Sequence, residues 1–250
     1  SLTFVATANV VSYTGAKPVF VDSELETWNI DPEKIKEKIN RRTRAIIPVH
    51  LYGHPANMKD ILSIAKKYNL LVVEDAAESH GALHRNKIVG SLGDAGCFSF
   101  FGNKIITTGE GGMITTNNKS FAQEVRVLRD HGASRKRRYY NPKLGFNYRM
   151  TNLQAALGLA QLRKVRKIIE RKRNIAKIYA QSLKELVPDV LLHPEASWAK
   201  NVYWMYSILI PKRGKRTRDY LMRELKKKGI DSRPFFFPIH RLPRYNEDEY

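Results

Sequence analysis

Lys104 stands between a short apolar run and a glycine-rich turn, in Phe98-Ser-Phe-Phe-Gly-Asn-Lys104-Ile-Ile-Thr-Thr-Gly-Glu-Gly-Gly112. A lysine amine forms Schiff bases with carbonyl compounds, pyridoxal phosphate included, once burial or a neighbouring cation lowers its pKa. Ser99 lies five residues earlier, within reach of a phosphate on the same molecule. Gly109, Gly111 and Gly112 permit close backbone approach and positive φ. A second segment, Leu71-Val-Val-Glu-Asp75-Ala-Ala-Glu-Ser-His80-Gly81, ends an apolar strand in carboxylates. Open α/β sheets present ligand-binding groups at that edge. Pyridoxal phosphate needs a carboxylate on its pyridine nitrogen to keep the ring an electron sink, and Asp75 suits that role. Taken alone, Lys104 also reads as a solvated loop charge; the Asp75 segment favours the chemical reading.

Positioning these groups requires strands and helices in alternation. Val5 to Tyr13 reads as a short helix ended by Gly15, and Pro18 to Asp22 as a buried strand. Asp31 and Pro32 supply an N-cap and a first-turn proline for a helix to about Ile39. Arg44 to His50 reads as a strand made irregular by Pro48. Asn57 caps a helix whose apolar face is Met58, Ile61, Leu62, Ile64 and Ala65, followed by a strand over Leu70 to Val73. Beyond the glycine turn come a strand over Gly112 to Thr116 and a helix capped by Ser120 that runs to about Asp130. A long helix is expected from Asn152 to about Leu186. After Pro188 the composition shifts to an aromatic strand over Val202 to Ile210, a helix over Thr217 to Lys228 ended by Gly229, and an extended Arg233 to Pro238. The alternation predicts an α/β fold, a largely parallel mixed sheet with helices on both faces, plus a smaller C-terminal α+β domain. The expected division is a large domain over 1–150, a connecting helix over 151–186 and a small domain over 187–250.

Composition narrows the function. With 250 residues and 42% hydrophobic content the chain can bury a substantial core. Its single cysteine, Cys97, excludes an intrachain disulfide framework and suits a reducing compartment, so a cytoplasmic setting is expected. No apolar run approaches the length of a membrane span. The formal charge of +20 would attract phosphate polymers. The basic residues, however, are spread along helical stretches and form no known nucleic-acid module, so no specific nucleic-acid role is expected. His50 and His54 lack acidic or cysteine partners at metal-ligand spacing, and no metal site is expected.

The two opening segments resemble the DegT/DnrJ/EryC1/StrS sugar aminotransferases, pyridoxal phosphate enzymes of fold type I. The resemblance runs over essentially the whole chain. It includes Thr3-Phe-Val-Ala-Thr-Ala-Asn9, Gly15 to Asp22, His50-Leu-Tyr-Gly-His-Pro55, Asn147-Tyr-Arg-Met-Thr-Asn152, Tyr203 to Ile208 and Arg233-Pro-Phe-Phe-Phe-Pro-Ile-His240. Members of the family begin upstream of this Thr-Phe motif and continue past His240, which implies a chain truncated at both ends.

What the resemblance implies is specific. Lys104 would carry the cofactor, Asp75 its pyridine nitrogen, Glu78 its 3-hydroxyl and Ser99 its phosphate, with Phe4 stacked on the ring. Asn147, and after it Arg149, would reach the cofactor phosphate of a partner subunit in a homodimer with shared active sites. His240, Phe236 and Arg233 would line the substrate pocket, with His80 a further candidate beside the carboxylates. Arg135, in the basic run to Arg138, would hold the substrate's diphosphate, since a guanidinium suits phosphate geometry; a solvated charge run is its bland alternative. Phe4, Phe236 and His80 have equally ordinary readings as core residues. The implied reaction moves an amino group from an amino acid, glutamate by preference, to a 4-keto-6-deoxy sugar nucleotide for cell-surface polysaccharide synthesis. Glu26-Thr-Trp28 and the segments around Lys104 and Phe236 favour GDP-4-keto-6-deoxymannose. A 3-amino or other nucleotide-sugar transferase of the same family is one alternative, and a non-catalytic basic binding protein another.

Overall fold

Capping chemistry sets several boundaries in the computed structural model, which describes residues 1–211 and 217–246. Helix α1 (Ala6–Tyr13) is followed by Gly15 at φ 79°, a conformation that glycine adopts without a Cβ clash. Helix α2 (Pro32–Lys38) starts where the Asp31 carboxylate accepts the Glu33 N–H at 2.8 Å. Strand β1 (Ala45–Ile46), helix α3 (Met58–Tyr68) and strand β2 (Leu71–Asp75) then form the first strand–helix–strand unit. Met58, Ile61, Ile64 and Ala65 of α3 pack with Ile46 and Val72 in one apolar cluster, so the 3.6-residue period of the sequence becomes a buried face.

The chain continues through β3 (Leu83–His84), β4 (Lys87–Ile88), β5 (Ala95–Ser99) and β6 (Gly112–Thr115). The main sheet runs in the order β1-β2-β5-β6. Its first two pairings are parallel and β6 closes it antiparallel. Asp75 pairs with Cys97, so both carboxyl ends, Asp75 and Ser99, lie on the same edge of the sheet. Helices α4 (Lys119–Leu128), α5 (Asn152–Leu162) and α6 (Val165–Leu186) follow. Then come β7 (Leu191–Leu192), β8 (Ala199–Lys200), β9 (Ile208–Leu209) and α7 (Arg218–Lys227). Strand β8 adds antiparallel to β3, and β7 pairs with β9. Thr217 caps α7, and Gly229 follows the helix end at φ 77°, the stop that the sequence predicts. Among the described residues no helix is long and apolar enough to cross a membrane.

Several expectations fail for physical reasons. Pro18 to Asp22 makes no ladder; the Ser1 amino group on the Val21 carbonyl and the Asp31 N–H on the Asp22 carbonyl are its backbone contacts. The strand over Arg44 to His50 shrinks to β1, although the Pro48 carbonyl still accepts the Asp75 N–H at 2.9 Å. Asn57 occupies the N-cap position of α3, but its side chain donates to Asp60 and caps nothing. Asn118, not Ser120, caps α4 by accepting the Phe121 N–H at 3.0 Å. The expected long helix is interrupted at Arg163 and Lys164. Of Val202 to Ile210 only β9 is strand, because the Val202 N–H turns instead to the Gly53 carbonyl.

Two buried histidines fasten the 193–207 segment. His54 Nε2 accepts the Ala196 N–H at 3.0 Å, and His193 Nδ1 accepts the Ser207 N–H at 3.2 Å. Both bonds require a neutral ring nitrogen. Burial pushes His54 down to about 4 and His193 down to about 3. The unfolded chain therefore takes up protons near pH 6.5 while these histidines do not, and their contribution to stability is lost as pH falls below that value. Glu78, raised to about 7, acts oppositely over the upper part of this range. In His193→Gln, the slope of unfolding free energy against pH between 6 and 4 is expected to drop by about 1.4 kcal/mol per pH unit, one proton's worth. Urea melts at a series of pH values read it, and an unchanged slope would show that His193 is protonated in the folded chain.

Candidate active site

Strand β2 delivers two carboxylates with different surroundings. The Glu74 side chain is fully buried. Its Oε1 accepts the N–H groups of Leu92 at 2.6 Å and Gly93 at 2.7 Å, and its Oε2 accepts that of Gly90 at 2.7 Å. His50 Nδ1 accepts the Ala56 N–H, so its Nε2 carries the proton and donates to Glu74 at 3.0 Å. Burial pushes the Glu74 carboxyl up, but the bonds from His50, Gly93 and Gly90 outweigh it and hold the group below the usual range. Asp75, one residue on, faces the other way along the pleat. Its Oδ2 accepts the Thr7 hydroxyl at 2.7 Å and its Oδ1 the Ala77 N–H at 3.1 Å. Helix α1 is thereby tied to the strand end.

The turn after β2 brings Glu78 inward. It is buried and accepts the Tyr52 N–H at 2.8 Å. Burial pushes its carboxyl up to about 7 against that hydrogen bond and the Lys104 charge, with Asp75 adding to the rise. Tyr52 holds this amide in place through a left-handed backbone at φ 52°, which costs energy in a bulky residue. Lys104 follows β5 and is half-buried. Burial lowers its pKa, and the charges of Glu78 and Asp75 oppose that fall. Its Nζ lies 4.0 Å from the centre of the Trp204 ring. The Ser99 hydroxyl accepts the Phe101 N–H at 3.3 Å, which leaves its own O–H free to donate. His80 is buried against Phe98 and Phe100, and burial pushes it down to about 4. Its ring nitrogens make no hydrogen bond of ordinary geometry among the described residues.

The structure thus brings Asp75, Glu78, Lys104 and His80 within electrostatic reach of one another and sets Ser99 on the same sheet edge. Phe4 is more than half exposed, and its ring lies 5.7 Å from Phe236. Phe236 in turn stacks on Tyr52 at 5.2 Å and gives its N–H to the Tyr52 hydroxyl. The other candidates stand apart. Asn147 pairs with Asp130 beyond α4, and Arg149 contacts the same Asp130 at 3.4 Å. Arg135 and Arg233 are exposed, and His240 lies in the short 3₁₀ turn Ile239–Arg241. Thr7, Tyr52, Glu74 and Trp204 complete the site, and sequence reasoning gave them no role. Tyr52 and Thr7 lie inside motifs singled out above, but nothing local marks which side chains they meet.

A carboxylate held as an acceptor, a lysine whose charged form burial disfavours and a free hydroxyl donor fit the ring nitrogen, carbonyl and phosphate of pyridoxal phosphate. Fold and site together define an α/β chain organised around a lysine–carboxylate pair at the carboxyl edge of a mostly parallel sheet. It belongs to the DegT/DnrJ/EryC1/StrS aminotransferase family, whose model matches residues 1–250. It is 49% identical to the GDP-perosamine synthase of Caulobacter vibrioides over 98% of this chain and 66% of that protein. To the GDP-perosamine synthase of Escherichia coli O157:H7 it is 46% identical over 99% of this chain and 66% of that one. Helicobacter pylori PseC, an aminotransferase involved in pseudoaminic acid biosynthesis, superposes with a TM-score of 0.92 at 30% identity, covering 98% of this chain and 66% of PseC. The chain therefore spans just under two thirds of the length of these relatives.

Proposed function

We propose that the chain carries the reactive lysine of a cytoplasmic, pyridoxal phosphate-dependent aminotransferase that moves an amino group from glutamate to C4 of GDP-4-keto-6-deoxymannose. The observation that carries this reading is the half-buried Lys104 amine facing Asp75 and Glu78. The likeness to two GDP-perosamine synthases supports the choice of sugar nucleotide.

When bound, the cofactor supplies an electron sink that stabilises a carbanion at the donor's α-carbon. The chain's own residues do the rest. Asp75, oriented by Thr7 and the Ala77 amide, would hold a proton on the ring nitrogen. Ser99 would donate to the phosphate, Glu78 would face the 3-hydroxyl, and Phe4 would cover the ring. Lys104, its ammonium disfavoured by burial, takes the proton from the donor's α-carbon at Nζ and later returns one to C4 of the sugar. His240, Phe236 and Arg233 would line the sugar-nucleotide side, and Arg135 would reach the diphosphate.

A homodimer accounts for the residues that stand apart. No residue of α5 is buried, and Leu153 is 85% exposed, with Leu157, Leu159 and Leu162 about half exposed. An apolar helix this open calls for a second copy. Asn147 and Arg149 lead directly into it and would then serve the partner's site.

Incubation with glutamate and GDP-4-keto-6-deoxymannose, followed by mass spectrometry of the sugar nucleotide, tests the reading directly. The expected product carries an amine at C4; none with that substrate, but one with a 3-keto isomer, would move the assignment within the family. Asp75→Ala is expected to slow amino transfer by about 10²–10³-fold, as for loss of a preorganised electrostatic partner. Near-native turnover with cofactor bound would remove Asp75 from the mechanism.

A further inference from the structure

Lys104 has a neighbour that none of these roles uses. Its Nζ stands 4.0 Å from the centroid of the Trp204 ring, within the range at which an ammonium is drawn to an indole face. Among the described residues the amine makes no hydrogen bond or ion pair. Trp204 is itself buried and held at three points. Its Nε1–H donates to the Asn103 carbonyl at 2.8 Å, Lys172 of α6 donates to its carbonyl at 3.2 Å, and the Tyr52 ring stacks on it at 6.0 Å. The first of these bonds goes to the residue directly before Lys104. A side chain that merely fills the core needs no such registration to the turn that carries the amine.

We propose that Trp204 is a positioning residue for Lys104, its indole face holding the protonated amine at a fixed rest position beside Asp75 and Glu78. The proposal rests on Lys104 being the reactive amine. A group that takes a proton from carbon must hold it briefly and give it back. A carboxylate in direct contact would bind the ammonium strongly and blunt the amine as a base, whereas a π face attracts it weakly and leaves its protons unshared. The charged and titratable groups that face Lys104 are Asp75, Glu78 and His80, while Lys172 meets Trp204 at its backbone carbonyl.

The test reads Lys104 in the ligand-free chain. Labelling with acetic anhydride across a pH series, followed at the Lys104 peptide by mass spectrometry, gives the midpoint at which the amine loses its proton. In Trp204→Leu the apolar volume is largely kept and the ring quadrupole is lost, so the midpoint is expected to fall by about one pH unit, roughly tenfold more free amine below it. Trp204→Phe, with a weaker face, is expected to fall by about half as much. If Trp204→Leu does not fold, the sign of the Trp204→Phe shift decides. A midpoint that stays or rises overturns the proposal even if activity declines, because the ring would then only fill space. Pyridoxal phosphate uptake by the unaltered chain is measured separately; its absence would strike the proposed function and leave the labelling result standing.

Discussion

Lys104→Ala is expected to abolish amino transfer, with the rate falling by at least about 10⁴-fold. In the proposed reaction the amine has two tasks, covalent attachment of the cofactor and proton movement, and general acid–base catalysis alone is worth about 10²–10⁴. The neighbours offer no substitute base of similar reach. Glu78 is buried with the Tyr52 amide on its carboxylate, and His80 is packed against Phe98 and Phe100. The visible band formed with added pyridoxal phosphate, and its fixation by borohydride, should disappear in the same variant. Asp75 and Ser99 remain in place, so the cofactor can still bind without a covalent link. Residual turnover within tenfold of the unaltered chain would show that another group moves the proton.

Glu74→Ala is expected to be the costliest substitution for stability, at about 3–5 kcal/mol, because it strips the partner from groups that stay buried. Three amides, from Gly90, Leu92 and Gly93, and the His50 Nε2–H all converge on this one carboxylate. Glu74→Gln is not conservative here. An amide has one acceptor oxygen, and its NH₂ would face an N–H wherever the second oxygen had been. Both variants should lower the melting temperature by about 6–20 °C, since each kcal/mol is worth about 2–4 °C in a chain of this size. A melt within about 2 °C of the unaltered chain would mean that water or a rearranged turn satisfies the amides. Because Asp75 is the next residue, the Gln variant should also weaken cofactor binding if it folds.

The split between local and tertiary information is visible residue by residue. Asp31 with Pro32, Thr217 with Gly229, and the helical period from Met58 to Ala65 act within a few residues, and each appears in the structure as expected. The strand into Glu74 and Asp75 was legible too, since an apolar β-branched run ending in acids needs no distant partner to be recognised. Pro18 to Asp22 has the same β-forming composition and is not a strand, because a strand exists only where a neighbour supplies hydrogen bonds. Helix-forming residues likewise could not announce the break at Arg163 and Lys164.

In the site, Lys104, Asp75 and Ser99 stood out through residue type and spacing, and Glu78 through the family resemblance. Which residues surround them was decided only by the tertiary structure. Thr7 reaches Asp75 across 68 residues and Trp204 reaches Asn103 across 101, and contacts at such separations leave no period or cap in the sequence. The sequence by itself singled out the candidate amine, its carboxylates and the sheet edge that carries them. Folding determined their charges, because burial sets the pKa values of Lys104 and Glu78 and depends on every element packed around them.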